Sequence, residues 1–203
     1  KPGQAKAPSL CLPCPCRKTI PTSGLSTMIS KKLNAEVHQV MQSALARTRS
    51  YFESEFGISE TVVETGAGDV NSLTLLDMTA IIGMGGQINL LIAFSFQSSL
   101  IDALYQRMTS DLDVQPDKVE MFREAAAGDV VNTVLGHCTI DLQKLDEQGI
   151  SMTPPVILDQ VKTIQRMKNS MFYTQSLCTA LGRMNISLVG PRELFDTDLE
   201  YAK

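Results

Sequence analysis

Ala125-Ala-Ala-Gly128-Asp129-Val-Val-Asn132-Thr-Val-Leu-Gly136-His137 is the stretch from which the fold is worked out. At about 100° per residue, the turn of an α-helix, Ala127, Val130, Val131, Val134 and Leu135 fall on one side, which has to face a sheet. On the opposite side Asp129 and Asn132 stand three positions apart, which puts their β-carbons about 5–6 Å from each other. Around them lie Ala125, Gly128 and Gly136, so two polar groups occupy a clearing of small residues. Each glycine costs about 1 kcal/mol of helix stability relative to alanine. That cost suits a face over which another backbone passes closely. The same pattern also fits two ordinary solvated side chains beside incidental glycines, and both readings stay open on pattern alone.

Working outward, Met28 to Phe56 contains neither Gly nor Pro. Leu33, Val37, Val40, Met41, Ala44, Leu45, Thr48 and Phe52 recur there at spacings of three and four, which predicts an amphipathic helix stopped by Gly57. Thr61–Thr65 and Leu75–Ile82 are rich in β-branched residues and read as strands, with Gly83-Met-Gly-Gly86 as the turn into a further strand over Gln87–Phe96. Ser98 opens a second helix, with Leu100, Ile101, Leu104, Tyr105 and Met108 at helical spacing, laid on the hairpin. After the polar link Ser110–Gln115, Pro116 and Asp117 suit the first turn of helix three, which runs to about Leu135, bends at Gly136 and continues over Cys138–Glu147 to Gly149. The segment Ile150-Ser-Met-Thr-Pro154-Pro155-Val-Ile-Leu is extended, because a residue before proline avoids the helical region. Thr163–Met167, Met171–Leu177 and Met184–Val189 form a closing antiparallel set, and the last dozen residues are a polar end. The pattern is α+β in one domain over 28–203.

Composition narrows the function. The 203 residues carry 18 Lys and Arg against 22 Asp and Glu, a net charge of −4, which disfavours binding to nucleic acid or an anionic membrane. Lys1, Lys6, Arg17 and Lys18 stand alone in residues 1–27, so residues 28–203 hold 14 bases against 22 acids. The longest apolar run, Ile88–Phe96, falls short of the roughly 20 residues of a membrane-spanning helix. Residues 1–27 also hold five of the nine prolines and three of the five cysteines, and read as a tail, disordered or a non-native extension, with Met28 a possible start. Cys11, Cys14 and Cys16 lack a fourth zinc ligand at finger spacing. With no apolar core of a secretory signal in the tail, Cys138 and Cys178 read as reduced cytoplasmic thiols.

Other candidates carry less. Gly83-Met-Gly85-Gly86 lies between strands rather than before a helix, so it reads as a turn and not a phosphate loop. No Ser, His and acid grouping of hydrolase type is present, and His137 reads as a helix-end residue. The methionines, among them Met78, Met84, Met108, Met121, Met152, Met167, Met171 and Met184, read as core filler. No metal site of the chain's own is expected.

Gly128-Asp-Val-Val-Asn132-Thr-Val-Leu-Gly136-His, followed by Gly149-Ile-Ser-Met-Thr-Pro-Pro-Val-Ile157, resembles the CheX-like branch of the chemotaxis phosphatase family, which includes CheC and FliY. In that family a helix carries Gly-Glu-x-x-Asn with a further Gly four residues past the Asn, and a Thr-Pro-Pro-Val style strand follows. Met78–Phe96 is similar to the family's hairpin leading into a helix, and the resemblance extends over about residues 30–190. It implies a CheC/CheX-like α+β single domain, an antiparallel-rich sheet packed by long helices. It further implies a phosphatase acting on the phospho-aspartate of a CheY-like receiver, with Mg²⁺ supplied by that receiver and no cofactor of the chain's own. Asn132 would orient the attacking water, Asp129 would pair with the receiver's lysine, and Ala125, Gly128 and Gly136 would meet the partner. A homodimer joined through sheet edges is implied as well. One departure stands out: the family's acid is usually Glu, and Asp129 is one methylene shorter. Glu124, eight residues before Asn132, is the nearest other acid but lies further from the clearing. A binding or dimerisation module without catalysis would share the same fold.

Overall fold

The computed structural model describes residues 35–68, 72–86, 89–143, 149–160, 163–165 and 170–191. The expected tail, the start of the first helix, the helical continuation beyond 143 and the polar end lie outside the described residues. Helix α1 (Ala35–Phe56) is followed by strands β1 (Glu60–Gly68), β2 (Ser72–Thr74), β3 (Met78–Gly85) and β4 (Leu90–Phe96), then by helix α2 (Ser98–Met108). A 3-10 turn (Pro116–Lys118) leads into helix α3 (Val119–Leu142). Strands β5 (Ser151–Met152), β6 (Val156–Asp159), β7 (Thr163–Gln165), β8 (Ser170–Thr179) and β9 (Gly182–Pro191) complete the chain.

The main sheet runs β1-β8-β9-β4-β3-β5, with β6 also on β3, and every described pairing is antiparallel. Side chains alternate across it. Met78, Ala80, Ile82 and Met84 of β3, Ile92, Phe94 and Phe96 of β4, and Met184, Ile186 and Leu188 of β9 point to one face, where the three helices cover them. From α1 come Val37, Val40, Met41, Ala44, Leu45 and Phe52, the face expected from their spacing. On the far side Phe172 and Val189, paired across β8 and β9, meet Leu73 and Ile164 of a two-stranded β2-β7 ribbon, and Leu75 just after β2. No helix of the described residues is long and apolar enough to cross a membrane. The architecture is the expected α+β fold, an antiparallel sheet packed by long helices.

Several local expectations are corrected. Leu75–Ile82 is not one strand: the chain leaves β2 at Thr74 and re-enters the sheet at Met78. Between them the Leu76 N–H donates to Ser95 Oγ (2.6 Å), and the Asp77 carboxylate accepts the Ser98 N–H at the start of α2 (2.8 Å). Leu76 and Asp77 thus bond through side chains here, while the Asp77 carbonyl accepts the Gln160 N–H. The glycine run is likewise not a turn, because Gly83 and Gly85 sit inside β3, which ends at Gly85. The Gly83 N–H donates to Thr153 Oγ1, the Thr153 N–H donates to the Gly83 carbonyl, and a β-carbon at Gly83 would lie 3.2 Å from the Thr153 methyl. The glycines admit the segment around Thr153 onto the edge of β3. Helix α2 packs on α3 and β9. Its first turn sits over Gly182, where a β-carbon would come within 2.5 Å of Ser99 Oγ and φ is 145°. Finally, Gly136 does not interrupt the third helix, which runs unbroken from Val119 to Leu142.

Candidate functional site

Helix α3 is held on one side and open on the other. Ala126, Ala127, Val130, Val131, Val134, Leu135, Cys138 and Leu142 are buried, against α1 and α2 as well as β3 and β6. All five residues assigned to the inner face by spacing are therefore inside, although that face meets two helices in addition to the sheet. Polar clamps add direction. From α1, Ser43 Oγ and Arg47 Nε both donate to Asp141 Oδ2 at 2.8 Å, and Arg47 Nη2 donates to Oδ1. This two-pronged contact raises the Arg47 pKa, chiefly through its hydrogen bond to Asp141. Near the other end, Arg123 Nε lies 2.8 Å from Asp102 of α2, while Arg123 Nη1 donates to Glu120 at 2.7 Å.

On the outer face, Ala125, Asp129, Asn132 and Gly136 are exposed and Gly128 is half-buried. A β-carbon built on Gly128 or Gly136 would have nothing within 4 Å, so no contact among the described residues requires either glycine. The structure thus brings the five expected residues onto one open helix face. Glu124 is exposed on the same helix. His137 is exposed but stands about 140° round the helix from Asn132, away from the pair. Cys11, Cys14 and Cys16 lie outside the described residues.

Met121 corrects the reading of the methionines as core. Met78, Met84, Met171 and Met184 are buried, but Met121 is 56% exposed on α3, and Ile140 on the same helix is 58% exposed. The position of Met121, eleven residues before Asn132 and so about 20° from it on the helix, was the available signal. The partners of Asp141 had no local signal, since Arg47 is 94 residues away in sequence.

The arrangement has limited chemistry of its own. Among the described residues, no three His, Cys, Asp or Glu side chains come together to hold a metal. Cys138 is on the buried face of α3, and burial pushes its thiol up to about 11, against a smaller downward pull from Ser43. Such a thiol stays protonated at neutral pH and is a poor nucleophile. What remains on the outer face is a carboxylate, an acceptor only when ionised, and a neutral amide that accepts and donates together. These groups can position and polarise a reactant that another molecule presents.

Comparison with known proteins gives this geometry a context. The family model described as chemotaxis phosphatase CheX matches residues 78–178, a span that includes Asp129 and Asn132. A chemotaxis protein CheX from Desulfovibrio desulfuricans superposes with a TM-score of 0.63 at 18% identity, covering 74% of this chain and 97% of that one. CheX from Vibrio vulnificus gives 0.59 at 18% identity, covering 76% and 97%. A CheX–CheY–BeF3–Mg²⁺ complex from Borrelia burgdorferi contains a chain that superposes with a TM-score of 0.58 at 13% identity, covering 76% and 98%. No curated protein matches the sequence.

Proposed function

The chain belongs to the CheX-like family of chemotaxis phosphatases, and on that footing we propose that it hydrolyses the aspartyl phosphate of a CheY-like receiver. The observation that carries the reading is the open outer face of α3. There Asp129 and Asn132 are exposed beside Gly128 and Gly136, above an inner face that is entirely buried. In the proposed reaction a water oxygen attacks phosphorus, the bond from phosphorus to the receiver's aspartate oxygen breaks, and inorganic phosphate leaves. An acyl phosphate is already activated, so positioning and electrostatics are the main requirements. The Asn132 amide accepts a hydrogen bond from the water and donates toward a phosphoryl oxygen. Asp129 pairs with the receiver's lysine and sets the approach. The Mg²⁺ that balances phosphoryl charge belongs to the receiver.

The test is the decay of a phosphorylated CheY-like receiver with and without this protein. We expect faster decay, abolished by Asn132→Ala with the melting temperature unchanged, because residue 132 touches no part of the core. Full activity in Asn132→Ala overturns the assignment. Binding without faster decay makes the chain a docking module, the reading that the shorter Asp129 favours. A homodimer through a free sheet edge completes the proposal. β1 ends the sheet on one side and the short β5 and β6 on the other, and uncovered edges favour pairing.

A further inference from the structure

The outer row of α3 has large apolar ends and a small-residue middle. At spacings of four, three, four, four and four it reads Met121, Ala125, Gly128, Asn132, Gly136 and Ile140, with Asp129 beside it. Met121 lies within about 20° of Asn132 around the helix, and Ile140 within about 20° of Asp129. Both are more than half exposed, and they are two of only five large hydrophobic side chains exposed among the described residues. The glycines between them offer little apolar area. A specific interface takes about 800 Å² from each partner, a disc of about 16 Å radius. From Asn132, Met121 is eleven residues and about 16 Å along the helix, and Ile140 eight residues and about 12 Å. Ile140 therefore falls inside the footprint of a standard-size partner centred on Asn132 and Met121 at its rim, and no contact among the described residues covers either.

We infer that Met121 and Ile140 are the two apolar anchors by which this face grips the receiver, seated on the loops around its phosphorylated aspartate. The recessed middle admits those loops to Asp129 and Asn132, and the two ends supply the apolar burial that holds them there. This rests on the receiver reading above and adds a division of labour. Met121 and Ile140 set affinity, while Asn132 sets the rate of the bound complex. It also specifies the partner: a receiver with apolar side chains on both sides of its active-site mouth, about 28 Å apart, the rise of nineteen helical residues.

The experiment titrates a CheY-like receiver treated with beryllofluoride and Mg²⁺ against the parent, Met121→Ser, Ile140→Ser and Asn132→Ala proteins, and follows decay of the phosphorylated receiver in parallel. Each anchor variant is expected to weaken binding about fivefold to tenfold, the loss expected when a half-exposed Met or Ile is no longer covered. The same factor is expected in KM, and the Asn132→Ala loss in kcat. Melting curves should match the parent, since both side chains already face solvent. Unchanged affinity in both anchor variants overturns the inference, even where Asn132→Ala still abolishes decay and the phosphatase reading survives. Affinity lost in the anchor variants, with no acceleration by the parent, upholds the anchors and overturns the phosphatase reading. If the variants instead abolish self-association while leaving receiver binding intact, the occupant is a second copy of this chain and the inference fails.

Discussion

Replacing Gly128 and Gly136 with alanine should make the protein more stable and less active. In the middle of a helix, glycine is about 1 kcal/mol less favourable than alanine. A substitution gains that amount only where the new methyl group meets nothing, and at both positions nothing lies within 4 Å of an ideal β-carbon. Each single variant should therefore gain about 0.5–1 kcal/mol, and the double about 1–2, the sites being two turns apart. For a chain of this size that raises the melting temperature by about 2–4 °C per kcal/mol. Receiver dephosphorylation should move the other way, because two methyl groups would stand where the partner backbone crosses the helix. The assay pairs thermal unfolding with receiver decay on the same preparations. A lower melting temperature would show that the clearing is not open. A higher one with undiminished decay would show that nothing crosses it, and the small-residue argument for the site would fall.

Asp129→Glu should hold or raise the decay rate if the carboxylate reaches the receiver's lysine, while Asp129→Ala and Asp129→Asn should lower it about tenfold, the worth of one charge-assisted contact; equal rates in all three would make Asp129 a solvated residue and pass the role to another acid. Val131 is completely buried, so Val131→Asp should cost more than about 4 kcal/mol and give unfolded or aggregated protein, visible by circular dichroism and gel filtration; a folded, soluble variant would refute the phase assigned to α3. The folded state keeps the Cys138 proton where the unfolded chain loses it, so this thiol's contribution is intact below its ordinary 9.0 and lost as pH rises toward about 11. Unfolding free energies from denaturant titrations should fall over that interval by no more than about 1.4 kcal/mol per pH unit relative to Cys138→Ala, whose neighbours Ser43, Arg47 and Asp141 are unchanged. A parent and variant with parallel pH profiles would refute it. Sedimentation should give about twice the 22.2 kDa chain mass, and a value near 22.2 kDa at micromolar concentration would count against the dimer.

Spacing alone sorts α3 into its two faces: Val130, Val131, Val134 and Leu135 inside, Asp129 and Asn132 outside. The same holds for α1, for the bounds of α2 and for the β8–β9 hairpin, because a helix or strand repeats over a few residues and its period is written in consecutive side chains. The family signature around Asn132 is local for the same reason. Other features depend on chain that is distant in sequence. Gly83 and Gly85 look like a turn until Thr153, seventy residues on, is laid against them. Leu75 looks like strand until Ser95 and Ser98 claim the backbone and side chain that follow it. Met121 looks like core because methionine usually is, and it is exposed because no element among the described residues lies over that side of α3. Nothing near Asp141 in sequence marks it as the partner of Arg47 and Ser43, which α1 brings to it. Periodicity states which side of an element is apolar, but what covers that side, and what stays bare for a partner, is set by contacts between residues far apart along the chain.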